Sequence, residues 1–138
     1  MLRTIGSKNV NANQFGYRIN SISYSNYLFG SGIAGVEKSD ICLLVGTNPR
    51  QVTPVLNAGI GKMVRNGHTH VARIVIETVK LTHIEELGED LSSLESILGG
   101  KGDFAKKLQD ASKSMIIVGD SILTHLDSRS ILSLLCMI

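Results

Sequence analysis

The hydrophobic positions of this chain form three short runs that predict strands, separated by stretches with helical spacing. A strand that is covered on both faces is apolar at successive positions, and it ends where turn residues begin. The first run, from Ile41 to Val45, is continuously apolar and is closed by Gly46. Two further runs at 71–76 and 115–118 are rich in β-branched and aliphatic residues. The runs at 41–45 and 71–76 predict interior strands of a sheet, and the run at 115–118 predicts a third strand.

Five other stretches carry apolar residues three or four positions apart, which predicts helices. Pro54 fits the first turn of one helix, Asn66-Gly67 and Gly99-Gly100 fit helix ends, and Asp103 fits an N-cap. We therefore expect helices near 28–36, 54–65, 91–98, 103–111 and 128–138, and a polar connection from Thr82 to Gly88. The residues expected to face the core are Leu28, Phe29, Ile33, Val36, Val55, Leu56, Ile60, Met63, Val64, Leu91, Leu94, Ile97, Leu98, Phe104, Ala105, Leu108, Ile131, Leu132, Leu134, Leu135 and Ile138.

The order of these elements predicts an α/β fold with a Rossmann-like parallel sheet. Strands that alternate with helices form right-handed crossovers, which cover both faces of the sheet and give three layers. Residues 1–24 are polar and irregular, and residues 25–138 are expected to form the α/β unit. Because three strands make a small sheet and the chain stops on Leu-Leu-Cys-Met-Ile, we expect a fragment of a larger domain.

Composition excludes two classes of partner. At 138 residues the chain can bury one core, and its net charge of +2 from 14 basic and 12 acidic residues forms no basic stripe for nucleic acid. The chain has no Trp, and most of its three Tyr and three Phe lie between 15 and 29, too close together for a base-stacking platform. No apolar run approaches the roughly 20 residues of a membrane-spanning helix, so no direct membrane insertion is expected.

The cysteine and histidine residues do not predict a metal site. Cys42 and Cys136 stand among aliphatic neighbours, and both are interpreted as small core residues. His68 and His70 flank Thr69, and such a pair can bind metal, but no third ligand is in view. We interpret the two histidines as part of an exposed loop.

Catalytic motifs are also not apparent. Ser121 and His125 stand near aspartates, but no G-x-S-x-G elbow precedes a helix. The glycine-rich stretch 99–102 lies between two predicted helices and follows no strand, so it does not match a phosphate-binding loop. The acidic cluster of Glu85, Glu86, Glu89 and Asp90 is interpreted as a solvated loop. We assign no catalytic residue.

The stretch SNYLFGSGIAGVEKSDICLLVGTNPR, from Ser25 to Arg50, resembles the large iron-sulfur subunit family of respiratory complex I, the NADH:quinone oxidoreductase. The similarity continues through PVLNAGIGK (54–62), LTHIEELGED (81–90) and MIIVGDSIL (115–123), and so covers the chain from about residue 24 onward. The resemblance implies a partial molybdopterin-oxidoreductase-like domain, which is the fold of the C-terminal portion of that subunit.

In the wider molybdopterin family, a G-x-N-P turn between a strand and a helix lies against a pterin-nucleotide cofactor. The residues of this turn here are Gly46, Thr47, Asn48 and Pro49, followed by Arg50. The resemblance implies that the complex I subunit kept this architecture without the cofactor, so the five residues form a vestigial cofactor-binding site. The simpler interpretation is a tight strand-to-helix turn in which the asparagine caps and the proline restricts φ.

Two other charged residues, Arg50 and Glu77, do not identify which ligand this turn would bind. Arg50 could pair with a carboxylate or contact a phosphate, and the sequence does not choose between them. Glu77 follows the second predicted strand, where an acidic residue could bind a ribose, although a solvated carboxylate is the simpler interpretation. Where relatives carry an NARIRK-like run, the segment 57–62 reads NAGIGK, which removes positive charge beside the turn.

We interpret the chain as a non-catalytic structural segment of the iron-sulfur subunit, supporting electron transfer from NADH to quinone without binding clusters itself. The resemblance implies that the parent subunit binds iron-sulfur clusters outside this chain and contacts other subunits of the peripheral arm. It also implies a peripheral location at the cytoplasmic face of the bacterial inner membrane or the matrix face of the mitochondrial one. The alternatives are a pterin-nucleotide-binding domain of a molybdopterin-dependent oxidoreductase and an isolated nucleotide-binding module.

Overall fold

A computed structural model describes residues 16, 28–74, 84–90 and 92–137 of the chain. Within these ranges the chain forms four strands and seven helices. The strands are β1 (Ile41–Val45), β2 (His70–Ile74), β3 (Glu85–Gly88) and β4 (Ser114–Val118). The helices are α1 (Gly32–Val36), α2 (Pro49–Val52), α3 (Pro54–Arg65), α4 (Ser92–Leu98), α5 (Asp103–Asp110), α6 (Asp120–Thr124) and α7 (Ser128–Leu135).

The four strands form one parallel sheet in the order β3-β2-β1-β4. Ile41 at the start of β1 is in register with His70 of β2 on one side and with Ser114 of β4 on the other. All five residues of β1 are buried. The predicted parallel α/β sheet and the interior position of the first two predicted strands are thereby confirmed.

Alternate side chains of β1 enter two separate hydrophobic clusters. Ile41, Leu43 and Val45 pack on one face with the apolar residues of α4, α5, α6 and α7. Cys42 and Leu44 pack on the opposite face with those of α1 and α3. Because a strand directs successive side chains to opposite faces, one apolar run supplies both layers of core. The predicted three-layer architecture is confirmed.

Successive strands are added on one side of β1 up to β3, and β4 is then added on the other side of β1. From β1 the chain passes through α3 to β2, toward the β3 edge. From β3 it returns through α4 and α5, on the other face, to β4 on the far side of β1. The carboxyl ends of β1 and β4 therefore define the point at which the strand order reverses.

The strand β3 is the main error of the sequence prediction, which expected three strands and a polar connection at 82–88. Glu85 and Glu86 belong to β3, while Glu89 and Asp90 follow it as exposed residues. The segment EELG carries no β-branched residue, so local preference does not indicate a strand. Its parallel pairing with β2 provides the backbone hydrogen bonds that stabilise the extended conformation.

Several element boundaries also differ from the prediction. Gly102, with φ of 100°, occupies the N-cap position of α5, and Asp103 is the first helical residue. The short helices α2 and α6 were not predicted because four or five residues show too little periodicity. Four predicted features, namely residues 1–24 other than Gly16, the end of the second strand at 75–76, Leu91 and Ile138, lie outside the described residues.

The predicted core residues that are exposed lie mainly in and before α1 and at the start of α3. Leu28, Phe29, Ile33 and Val55 were expected in the core but are 45–69% exposed. Cys136 is likewise exposed, because it follows α7 rather than lying within its buried face. Most other predicted core positions that the structure describes are buried or half-buried. A short helix on one face of a sheet can bury only the stripe that contacts the strands.

Candidate functional site

The turn from Gly46 to Arg50 lies at the carboxyl end of β1, beside the loop that follows β4. Open α/β sheets bind their ligands in the crevice at this end, at the point where the strand order reverses. The structure thus brings the predicted candidate site to the position where the fold would hold a ligand.

The loops that follow β1 and β4 each begin with a backbone hydrogen bond to a neighbouring strand. Gly46 has φ of 61°, a conformation that favours glycine, and its N–H donates to the Ile74 carbonyl at 2.9 Å. On the other side, the Gly119 N–H donates to the Val45 carbonyl at 2.8 Å. Both loops are therefore fixed at the ends of the strands from which they emerge.

Direct contact between these loops closes the crevice. The Ser121 hydroxyl donates to the Gly46 carbonyl at 2.6 Å. A Cβ at Gly119 would overlap the Gly46 carbonyl and would lie 2.5 Å from the Thr47 Cβ. A Cβ at Gly46 would overlap the Ile122 side chain. Two glycines thus allow the backbones to pack where the crevice of a doubly wound fold would open.

The remaining residues of the turn organise the start of α2. Asn48 is 3% exposed, and its side-chain oxygen accepts from the Arg50 N–H at 3.2 Å, so the predicted capping role is confirmed. Pro49 follows as the first helical residue, where its missing N–H removes no helical hydrogen bond. The Arg50 side chain is exposed, and α2 spans only four residues.

The histidines and the possible nucleophile do not assemble into a reactive site. His68 is exposed in the turn before β2, as predicted, whereas His70 belongs to β2, with Nε2 2.7 Å from Glu85 Oε2. Over the described ranges no three His, Cys, Asp or Glu side chains are grouped to hold a metal ion. His125 contacts Asp127, while the Ser121 hydroxyl is bound to a backbone carbonyl. Glu77 lies outside the described residues.

Cys42 is an inert core thiol. It is fully buried between β2 and β4, as predicted. Burial raises the pKa of the Cys42 thiol from 9.0 to about 12. Because the thiolate is the reactive and metal-binding form, this side chain is not available as a nucleophile or a ligand at neutral pH.

A buried arginine is the polar feature that the sequence analysis missed. Arg73 in β2 is 2% exposed, and its Nη2 donates to Glu86 Oε1 of β3 at 2.7 Å. This charged pair joins the edge strand to the sheet. The signal that could have found it was an arginine inside an otherwise apolar strand pattern, with acidic residues a short distance further along the chain.

A cavity of about 300 Å³ lies between β3 and the helices α4 and α5. It is lined by residues that include Glu85 at the start of β3, Ile97 of α4, and Lys101 and Phe104 around the start of α5. The turn from Gly46 to Arg50 contributes nothing to this cavity.

The chain matches the family model of molybdopterin oxidoreductase over residues 1–138, and it belongs to that family. The parallel sheet with helices on both faces is consistent with part of a domain of this class.

Within this class, the chain is similar to subunits of NADH-quinone oxidoreductase. It is 44% identical over 135 residues to an NADH-quinone oxidoreductase subunit of Rickettsia conorii, an alignment that covers 98% of this chain and 20% of that protein. The corresponding protein of Rickettsia bellii is 46% identical over 134 residues, covering 97% of this chain and 20% of the relative. The mitochondrial NADH-ubiquinone oxidoreductase 78 kDa subunit of Neurospora crassa is 44% identical over 107 residues, which is 77% of this chain and 14% of that protein.

The chain therefore spans about a fifth of the length of the bacterial relatives that it matches. None of the helices in the described part of the chain is long and apolar enough to cross a membrane.

Proposed function

We propose that this chain is a structural segment of the large iron-sulfur subunit of complex I. In this role it supports electron transfer from NADH to quinone and does not itself bind the clusters or a pterin nucleotide. The observation that carries the proposal is the closed crevice between the β1 and β4 loops, together with the similarity to NADH-quinone oxidoreductase subunits. The contacts of Gly46 and Thr47 with the loop after β4 occupy space that a phosphate group between the two loops would need.

The packing at Gly46 and Gly119 favours this role over pterin-nucleotide binding. A phosphate cradle needs backbone N–H groups that converge on open space, usually at the start of a well-formed helix. Here the Gly46 N–H is used by β2, the Asn48 side chain caps α2, and α2 itself has four residues. We interpret the turn from Gly46 to Arg50 as a vestigial site that keeps the shape of a binding loop.

The proposed partners are the other subunits of the complex I peripheral arm. The similarity to named subunits of this complex supports association with a respiratory membrane complex. In this proposal the segment lies peripherally, on the cytoplasmic face of a bacterial inner membrane or the matrix face of a mitochondrial one. The clusters of the parent subunit are bound by residues outside this chain.

Metal analysis of the intact protein tests the proposal. We expect iron and acid-labile sulfide from the parent subunit, co-migration with NADH:quinone oxidoreductase activity on native gels, and no stoichiometric molybdenum or pterin. Molybdenum and pterin at one equivalent per protein would overturn the proposal in favour of the cofactor-binding alternative.

A matched pair of charge variants tests the turn itself. Arg50 and Lys62 are both cations with solvent-accessible side chains, but only Arg50 belongs to the turn. We expect Arg50→Ala and Lys62→Ala to leave NADH:quinone activity equally unchanged. A loss of bound pterin nucleotide in Arg50→Ala alone would show that the turn binds an anionic ligand.

A further inference from the structure

The connection from α3 to β2 carries an asparagine that is followed by a glycine. Asn66 and Gly67 are both exposed, and apart from its chain neighbours nothing lies within 4 Å of a Cβ built at Gly67. Because glycine has no side chain, its backbone nitrogen can approach the side chain of the residue before it. Asparagine is one of the thermolabile residues of proteins. The pair therefore meets the chemical requirements for spontaneous loss of the side-chain amide.

The other two asparagines of the described ranges lack this combination. Asn48 is 3% exposed and is followed by Pro49, whose nitrogen carries no proton to lose. Asn57 lies within α3 and is followed by Ala58, whose side chain crowds the nitrogen. Among the asparagines that the structure describes, Asn66 is therefore the one at which the reaction is expected.

The backbone at this position closes the end of α3 in a Schellman motif. The Gly67 N–H donates to the Val64 carbonyl at 3.0 Å, and the His68 N–H donates to the Met63 carbonyl at 3.2 Å. Gly67 has φ of 69°, the left-handed conformation that this motif requires. The nitrogen that would attack the Asn66 side chain thus holds its proton in a hydrogen bond while the motif is closed.

The conformation of Asn66 also keeps the reacting atoms apart. Asn66 has φ of −79° and ψ of −3°, which is the right-handed helical region. At this ψ the Gly67 nitrogen is nearly eclipsed with the Asn66 nitrogen and is turned away from the Asn66 Cβ. Closure of a ring through the side chain requires the Gly67 nitrogen to lie on the same side as Cβ. The reaction therefore needs a rotation about ψ that the closed Schellman motif opposes.

From these observations we propose that Asn66 is a site of spontaneous deamidation and that opening of the Schellman motif controls its rate. In the open form the Gly67 nitrogen loses its proton to a base in the solvent and attacks the Asn66 Cγ. A bond from this nitrogen to Cγ forms, the bond from Cγ to the side-chain nitrogen breaks, and that nitrogen takes up a proton and leaves as ammonia. Water then opens the resulting succinimide at either carbonyl, which gives aspartate or isoaspartate. The proposal is independent of the proposed function, since it uses only the residues of this turn.

Either product would weaken the connection between α3 and β2. The new carboxylate would lie at the carboxyl end of α3, where the helix dipole disfavours negative charge. Isoaspartate would also insert a methylene group into the backbone. Only Gly67 and His68 separate position 66 from Thr69, which is buried and donates its hydroxyl to the Ser39 carbonyl at 2.6 Å. A connection this short cannot absorb the added length unless Thr69 or the end of α3 moves.

Mass spectrometry of the intact purified protein, incubated at mildly alkaline pH and then digested, tests the proposal. Asn57 is the internal control, and the same protein unfolded in guanidinium chloride gives the rate without the motif. In the folded protein we expect Asn66 to lose its amide at least about tenfold faster than Asn57. We expect the same reaction at Asn66 to be at least about tenfold slower in the folded than in the unfolded protein. A folded protein in which Asn66 reacts no faster than Asn57 would refute the site.

Amide hydrogen exchange at Gly67 tests control by the motif, because exchange and deamidation both remove the proton of the Gly67 nitrogen. The factor by which folding slows deamidation of Asn66 should equal the factor by which it slows exchange at Gly67, within about threefold. Equal rates of deamidation at Asn66 in the folded and unfolded protein would refute control by the motif.

Two matched substitutions assign the modification, and one backbone amide reports its effect on β2. Asn66→Gln keeps an amide but requires a larger ring, so it should abolish the change in mass, whereas Asn57→Gln should leave that change intact. Persistence of the change in Asn66→Gln would place the reaction elsewhere. In molecules that carry isoaspartate at position 66, the His70 N–H, which donates to the Asp40 carbonyl at 3.0 Å, should exchange about tenfold faster. Unchanged exchange at His70 in those molecules would refute the effect on β2.

Discussion

Replacing Gly119 with alanine should separate the two loops that close the crevice. Gly119 has φ of −95° and ψ of 170°, which any residue adopts, so the substitution adds no backbone strain. Its new methyl group would instead overlap the Gly46 carbonyl and approach the Thr47 Cβ to 2.5 Å. Overpacking of this type costs about 1–3 kcal/mol. Loss of the 2.6 Å hydrogen bond from the Ser121 hydroxyl to Gly46 adds about 1 kcal/mol.

We therefore expect Gly119→Ala to lower the free energy of unfolding by about 2–4 kcal/mol. Urea denaturation followed by circular dichroism measures this change, and an unaltered m-value would indicate the same unfolding reaction. Gly61→Ala is the matched control, because nothing lies within 4 Å of its new Cβ and it is within α3. The control should be stabilised by about 0.5–1 kcal/mol. If Gly119→Ala changed stability by less than about 0.5 kcal/mol, the loops would not be in the contact described and the closed crevice would be refuted.

Four further predictions concern other parts of the chain. Asn48→Ala should cost about 1 kcal/mol through loss of the N-cap, while Asn48→Asp should retain most of it, as measured by urea denaturation. Iodoacetamide at pH 8 should label exposed Cys136 and spare Cys42 until the protein unfolds, as read by mass spectrometry. The pKa of the Cys42 thiol is about 12 in the folded protein and 9.0 in the reference state, so the unfolded chain releases this proton at lower pH. The free energy of unfolding should therefore fall as the pH rises from about 9 to 12. This fall should be smaller in Cys42→Ala. Glu86→Ala should cost about 1–3 kcal/mol by removing a partner of buried Arg73, and an unchanged unfolding midpoint would contradict that role.

The elements that were predicted correctly are those whose signal is local. The run from Ile41 to Val45 is apolar at every position, so it indicated an interior strand without knowledge of its neighbours. Asn48 and Pro49 carry a capping signal within two residues, and the structure contains that cap. The periodic apolar residues of α3 similarly indicated a helix that begins at Pro54.

The features that were missed depend on residues far apart in the chain. β3 is a strand because β2 lies beside it, and its own sequence has little strand preference. Ile33 and Val55 are exposed because other elements cover only part of α1 and α3. Local spacing predicts which residues share a helix face, but it does not specify how much of that face is covered.

By itself, the sequence determined the alternation of strands and helices, the parallel α/β class, the turn after β1 and the resemblance to the complex I subunit family. These depend on apolar periodicity and on short motifs, which are properties of neighbouring residues. Only the tertiary structure decided that the crevice is closed, because the Ser121 hydroxyl and the Gly46 carbonyl are 75 positions apart in the chain and meet only when β4 pairs beside β1. It likewise decided that Arg73 is buried against Glu86 and that β4 has an open edge among the described residues, since burial and pairing are set by which strands become neighbours.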